Sequence, residues 1–378
     1  MTKTTLYLAL AFLVLSCADA PTGQSDPRDA TPSDPSDRQD ADPGDIPDVP
    51  DIGLEELPPP EQDTVGQDVE ARPDPDPGEP LWGESTDPPQ VFAASDVSQK
   101  TLDTTLKWFG VASDAWGNMG PLEIWIVGKS VEAVKELDAF WCDHRASMDP
   151  NWDTRWDCVN GDPYGSGIGW SPFYRYVEEG GAAVSVYRRS HLDYHFQIIT
   201  LSAKYPGPDE QDYGPVTMHE YFHVVQHAHI LDIQTGPSDA ARGEKMGGKG
   251  KPWFAEGGAE YMGQLLHSRQ PGMAPGHLKQ RMQWKYTSVD AYKAYGKRLE
   301  ELTYGDPVSA YDIGAWFIAY LIHNEGEETF LTAFYDDLDA LGFEEAFTTH
   351  FGQSPKDYVD EFDLFLDQGI EDALAIIP

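Results

Sequence analysis

Two histidines four residues apart, with a glutamate beside the first, are the residues in this chain best suited to chemistry: His219-Glu220-Tyr221-Phe222-His223. On a helix such positions lie one turn apart on the same face, so both imidazoles can converge on one transition-metal ion. Glu220 then sits close enough to take a proton from a water that the ion has made more acidic. Three specified residues are a weak signal, so the surroundings decide. Val216-Thr217-Met218 and Val224-Val225 give the apolar flanks of a buried helix, and Gly214-Pro215 supplies a start signal.

A metal held by two histidines needs a further protein ligand. His229 stands where the longer H-E-x-x-H-x-x-G-x-x-H pattern has its third histidine, but Gln226 replaces the glycine that would turn the chain back. A continuing helix would carry His229 about 15 Å along the axis from His219. His227 and His229 are therefore read as ordinary helix or surface histidines. The other candidate is Glu256, in Trp253-Phe254-Ala255-Glu256-Gly257-Gly258-Ala259-Glu260-Tyr261. Glu256 and Glu260 are four apart, so on a second helix one carboxylate can bind the metal while the other accepts a hydrogen bond from a ligating imidazole. The small residues between them let two helices approach closely.

H-E-x-x-H followed by W-x-x-E-G-x-A-E-Y resembles the gluzincin zinc metallopeptidases, particularly the peptidase MA-like group. The resemblance implies one catalytic Zn2+ on His219, His223 and Glu256, with Glu220 as general base and Glu260 orienting a ligand. It also implies an α+β, zincin-like fold of two lobes, the upper bearing a β-sheet and the lower mainly helical. The separation between the motifs, residues 224 to 255, is longer than in the best-known members. Thr235 to Lys251, ending in the glycine-rich run from Met246, reads as a flexible insertion that absorbs the excess.

Several elements are expected to position these residues. Leu122 to Val127 alternates and is rich in β-formers, so it reads as a strand, and Ser130 caps a helix through Leu137. Ala182 to Tyr187 and His195 to Leu201 are two further strand candidates. In the resembled family an edge strand above the metal helix binds peptide by β-augmentation, and either of these can serve. His191 and His195, near this region, are given structural or surface roles. After a turn at Tyr304-Gly305-Asp306-Pro307, Ser309 to Leu321 forms an apolar helix led by Tyr311. Tyr311 is the candidate phenol for steadying an oxyanion, with Tyr304 in reserve and aromatic packing as the alternative. Helical runs at 328–338 and 355–365 complete the chain.

The N-terminus carries different information. Lys3 and the apolar run Leu6 to Leu15 read as a secretory signal, too short for a comfortable membrane span. Val14-Leu15-Ser16-Cys17 resembles a bacterial lipobox, which implies cleavage before Cys17, lipid on its sulfur and attachment at the cell envelope or surface; plain secretion is the alternative. Residues 17–89 are dominated by Pro, Asp, Glu, Gly, Ser and Thr, and cannot bury enough apolar surface to offset the entropy of ordering. They read as an extended tether, leaving 1–16 as signal peptide and 90–378 as the peptidase-like domain. The chain's net charge is −39, from 65 acidic and 26 basic residues, and about half of it lies in the tether. Such a balance argues against nucleic acid as a partner. Cys142 and Cys158 are an even pair in an exported chain once Cys17 is set aside, so a disulfide is expected.

The reading is thus an exported, lipid-anchored zinc peptidase acting on peptide or protein, with endopeptidase action favoured because no G-x-M-E-N segment is present to hold a substrate amine. Two alternatives remain: a non-catalytic zincin-fold binding module at the cell surface, and a zinc hydrolase of a non-peptide substrate.

Overall fold

The structure, a computed structural model, describes residues 83–378 apart from 86, 150, 156, 188–195, 231–242 and 249. The expected signal segment, Cys17, nearly all of the expected tether, His191, His195 and the first part of the expected insertion lie outside the described residues.

The fold is mixed α+β. Strand β1 (Gly83–Glu84) stands on the tether side of the boundary expected at residue 90. Strand β2 (Gln90–Ala93) follows, and Ser98 then opens helix α1 (Gln99–Trp116), its hydroxyl accepting the Thr101 amide proton at 3.1 Å. Strand β3 (Met119–Gly120) pairs antiparallel with β1, and β4 (Leu122–Val127) follows directly. Ser130 caps α2 (Val131–Met148) as expected, although the helix runs well beyond Leu137. A hairpin of β5 (Asn160–Asp162) and β6 (Ile168–Trp170) and a short helix α3 (Tyr174–Glu178) lead to β7 (Ala182–Tyr187) and β8 (Phe196–Ser202).

The main sheet has the order β2-β4-β8-β7, with the first three strands parallel and β7 antiparallel on the edge. Of the two strands proposed as a substrate edge, β8 is therefore interior and β7 is the edge strand among the described residues. Side-chain alternation divides the sheet's faces. Ile124, Ile126, Ile199 and Leu201 pack with Phe109 of α1 and with Met218, Tyr221 and Val224. Trp125, Val127, Phe196 and Ile198 pack with Val134, Leu137 and Trp141 of α2 and with Phe173 and Tyr176. Because helices cover both faces, all six residues of β4 are buried, including Glu123. Its carboxylate accepts Arg145 Nη1 at 2.9 Å and Trp125 Nε1 at 2.7 Å. Cys142 on α2 is joined to Cys158, with Cα atoms 5.2 Å apart, as their even count predicts.

The rest of the described chain is helical. Helix α4 (Tyr213–Ala228) packs against the sheet on one side and against α5 (Ala255–Ser268) on the other. Then come α6 (His277–Lys285), α7 (Val289–Tyr295), α8 (Ala310–Glu325), α9 (Tyr335–Leu341), α10 (Phe343–Phe351), α11 (Pro355–Leu366) and α12 (Ile370–Ala375). The run expected at 328–338 begins as a π-helical turn, Thr329–Phe334, before α9. Glycine sets how closely these helices stack. A Cβ on Gly257 would lie 2.4 Å from the Gly314 carbonyl carbon, and one on Gly263 would lie 2.9 Å from the Pro215 oxygen. Within the described part of the expected insertion, Met246 is buried in the helical core and the Gly247 carbonyl accepts Trp253 Nε1 at 3.1 Å.

Candidate metal centre

The apolar flanks of His219 and His223 put α4 in the interior, where every residue of the helix except Val216 is buried. Glu256 and Glu260 come from α5, whose small residues bring its backbone against α4 and α8. The outcome is a triangle of ligand atoms. His219 Nε2 and His223 Nε2 are 3.2 Å apart, and Glu256 Oε2 lies 3.2 Å from the first and 3.1 Å from the second. Three tetrahedral ligands each about 2.0–2.1 Å from a zinc ion would be separated by about 3.3 Å, so the donor set fits that ion. Among the described residues these three form the group able to hold a metal, all buried.

A ligating Nε2 must offer a lone pair, which requires the proton on Nδ1. Both rings meet that condition through acceptors. His219 Nδ1 faces Glu260 Oε2 at 3.2 Å, and His223 Nδ1 faces Gln226 Oε1 at 2.7 Å. The Gln226 amide cannot turn around, because its nitrogen donates to the Ala255 carbonyl at 3.0 Å and lies 3.2 Å from the Tyr335 hydroxyl. Sequence reasoning treated Gln226 only as a missing glycine. Its position three residues after His223 on one helix face was the available signal.

Electrostatics follow from burial and these contacts. Burial pushes the Glu256 carboxyl up, but His223 and His219 more than offset this and hold it well below the usual carboxylate range. Burial pushes the His219 imidazole down, yet Glu256 and Glu260 raise it to about 10. Glu260 is opposed by burial and held low by Lys285 and His219. Glu220 behaves differently: burial raises it, His219 and His223 oppose the rise, and Glu256 adds to it. Its Oε2 has no hydrogen-bond partner among the described residues, so this carboxyl is not tied down as Glu256 and Glu260 are.

Both candidate tyrosines lie at the triad. The Tyr304 hydroxyl donates to Glu256 Oε1 at 2.9 Å, on the oxygen opposite the histidines. The Tyr311 ring stacks beside His219 with centroids 6.3 Å apart. His227 and His229 stay outside the triangle, as expected. His227 stacks at 6.4 Å behind His223, and His229 closes α4 and lies 3.6 Å from Asp336. The helix thus ends at Ala228 and does not continue past His229.

Comparison with protein-family models, curated proteins and solved structures returns no match for this chain.

Proposed function

We propose that this chain is a zinc-dependent peptidase in which His219, His223 and Glu256 hold one Zn2+ and Glu220 is the general base. The observation that carries this reading is the donor triangle of 3.1–3.2 Å with both Nδ1 atoms facing fixed acceptors. Zinc, when bound, supplies Lewis acidity that polarises the scissile carbonyl and acidifies a water molecule. Glu220 takes the proton of the attacking water and delivers it to the leaving amine. Its free carboxylate oxygen suits a group that must accept and release a proton in each turnover. Tyr311, whose ring lies beside His219, is the phenol proposed to donate to an oxyanion, with Tyr304 in reserve because its hydroxyl proton is already given to Glu256 Oε1.

The edge strand β7 is the proposed track for an extended peptide, held by backbone hydrogen bonds that tolerate many sequences. A zincin-like arrangement in two lobes belongs to the same reading. It is supported by the sheet and its covering helices before α4 and by the helices after it. Export and lipid attachment through Cys17 rest on Lys3, the run Leu6 to Leu15 and the lipobox-like residues. Among the described residues no helix is long and apolar enough to cross a membrane.

The test is zinc content and casein hydrolysis of the full chain, before and after chelation, beside the Glu220→Gln variant. The parent is expected to hold one zinc, to lose cleavage on chelation and to regain it when zinc is returned. The variant is expected to keep zinc and lose activity by about 10²–10⁴-fold. A parent that holds zinc and cleaves no peptide would favour a binding module or a non-peptide hydrolase. A parent that holds no zinc would overturn the ligand assignment.

A further inference from the structure

Behind Glu260 lies a buried cation that no motif predicted. Lys285, the last residue of α6, is 4% exposed. Its Nζ donates to Glu260 Oε1 at 2.8 Å and to Asp312 Oδ1 at 3.1 Å. Asp312, in the first turn of α8, accepts the Ser288 hydroxyl on its other oxygen at 2.7 Å. Glu260 Oε1 also accepts Gln264 Nε2 at 3.3 Å, which leaves Oε2 directed at His219 Nδ1. A line of charge-assisted contacts therefore runs from α8 through α6 and α5 to the first histidine of the triad.

Such a buried arrangement needs a reason other than stability. Desolvating an ammonium and two carboxylates costs about as much as their attraction returns, and well-packed apolar residues often serve a fold equally well. What apolar residues cannot do is hold a carboxylate at a fixed rotation. A carboxylate anchored by only one oxygen to a flexible neighbour can swing; one clamped between an ammonium and an imidazole cannot.

We propose that Lys285 is a positioning residue for the metal centre: it anchors one oxygen of Glu260 so that the other fixes the ring rotation and tautomer of His219. The inference rests on the zinc reading above, and it predicts where zinc affinity is set. Removing the ammonium leaves Glu260 free to turn from His219 and leaves Asp312 without its buried counter-ion, so the imidazole loses its fixed acceptor while all three ligands remain in place.

The experiment measures zinc affinity by competition with a chromogenic chelator on the full chain, for the parent, Lys285→Met, Glu260→Gln and the double variant. Thermal unfolding without zinc is recorded alongside. Lys285→Met is expected to weaken zinc binding by about 10–100-fold. In the Glu260→Gln background the same change should add no more than about twofold, because the two groups act as one unit. Should Lys285→Met fail to fold, Lys285→Gln removes the charge while keeping a donor and carries the same comparison. A merely structural lysine would lower the unfolding temperature and leave the zinc affinity of the folded protein unchanged, which would overturn the proposal, as would an equal loss in both backgrounds. A parent without zinc affinity would instead overturn the zinc reading, so the two failures are distinguishable.

Discussion

Alanine at position 257 probes the close approach that places Glu256 beside the two histidines. Its Cβ would lie 2.4, 2.6 and 2.7 Å from the carbonyl carbon, Cα and oxygen of Gly314. Carbon atoms rest at about 3.5–4.0 Å, and all three obstacles are backbone, so α5 and α8 must part by roughly 1 Å. Replacing a helical glycine by alanine gains about 1 kcal/mol in propensity, whereas overpacking of this kind costs about 1–3 kcal/mol or more. Backbone clash at three atoms puts the cost at the upper end, and a net loss of about 2 kcal/mol is expected. Gly258→Ala is the control next door. Its Cβ would meet Gln226 Nε2 at 3.1 Å, Phe330 Cζ at 3.4 Å and Phe222 Cε1 at 3.5 Å, longer approaches to side-chain atoms in place of backbone. That variant should lose clearly less stability than Gly257→Ala, because no backbone atom stands in its way. Urea unfolding of the zinc-free chain, followed by tryptophan fluorescence, gives the comparison through the shift of midpoint at constant slope. A Gly257→Ala midpoint equal to that of the parent would refute the close approach of α5 and α8, and with it the reason Glu256 is rigid.

Two further outcomes are expected. Burial pushes the Glu123 carboxyl up, but Arg145, His144 and Trp125 more than offset this and hold it at about 2 against an ordinary 4.5. A depression of that size corresponds to roughly 3 kcal/mol. Because the folded value is the lower one, this stability is complete above pH 4.5 and is lost as the pH falls toward 2. Glu123→Gln should therefore be destabilised at neutral pH and lose the parent's slope in that acid window; urea midpoints against pH with equal slopes in both proteins would contradict this. Tyr304→Phe removes the 2.9 Å hydrogen bond to Glu256 Oε1 and should weaken zinc binding roughly fivefold by chelator competition. An unchanged affinity would mean that the hydroxyl does not hold the ligand.

The parts of the fold legible in the sequence are those whose local pattern and tertiary setting agree. Leu122 to Val127 alternates, Ser130 and Ser309 are capping residues, and the strands and helices next to them form where periodicity puts them. Legibility fails where an element depends on a partner far along the chain. Gly83–Glu84 is a strand only because Met119–Gly120 lies opposite, and nothing within the acidic, proline-rich run before it marks the change. The edge role of β7 was equally hidden, because β7 and β8 read alike until the parallel pairing of β8 with β4 removes one of them from the edge. The glycine-rich run from Met246 suggested flexibility through composition. Within it Gly247 and Gly248 adopt φ of +105° and +121°, a conformation that glycine permits at little cost, and Trp253 Nε1 donates to the Gly247 carbonyl, a contact that composition does not reveal.

The candidate site shows the same division more sharply. His219, Glu220, His223 and Glu256 announce themselves because helical spacing places chemistry on one face, and Glu260 follows from Glu256 by the same rule. What holds them still does not follow from spacing. Gln226 sits in plain view three residues after His223, yet its value depends on Ala255 and Tyr335, which keep its amide from turning. Lys285 has no local cue at all, since its partners Glu260 and Asp312 lie on helices before and after its own. A ligand motif is constrained by the geometry of one helix, whereas the groups that orient it need only arrive in space from any element. On the zinc reading, a change at Lys285 is expected to be felt at the His219 ligand although it lies outside the motif.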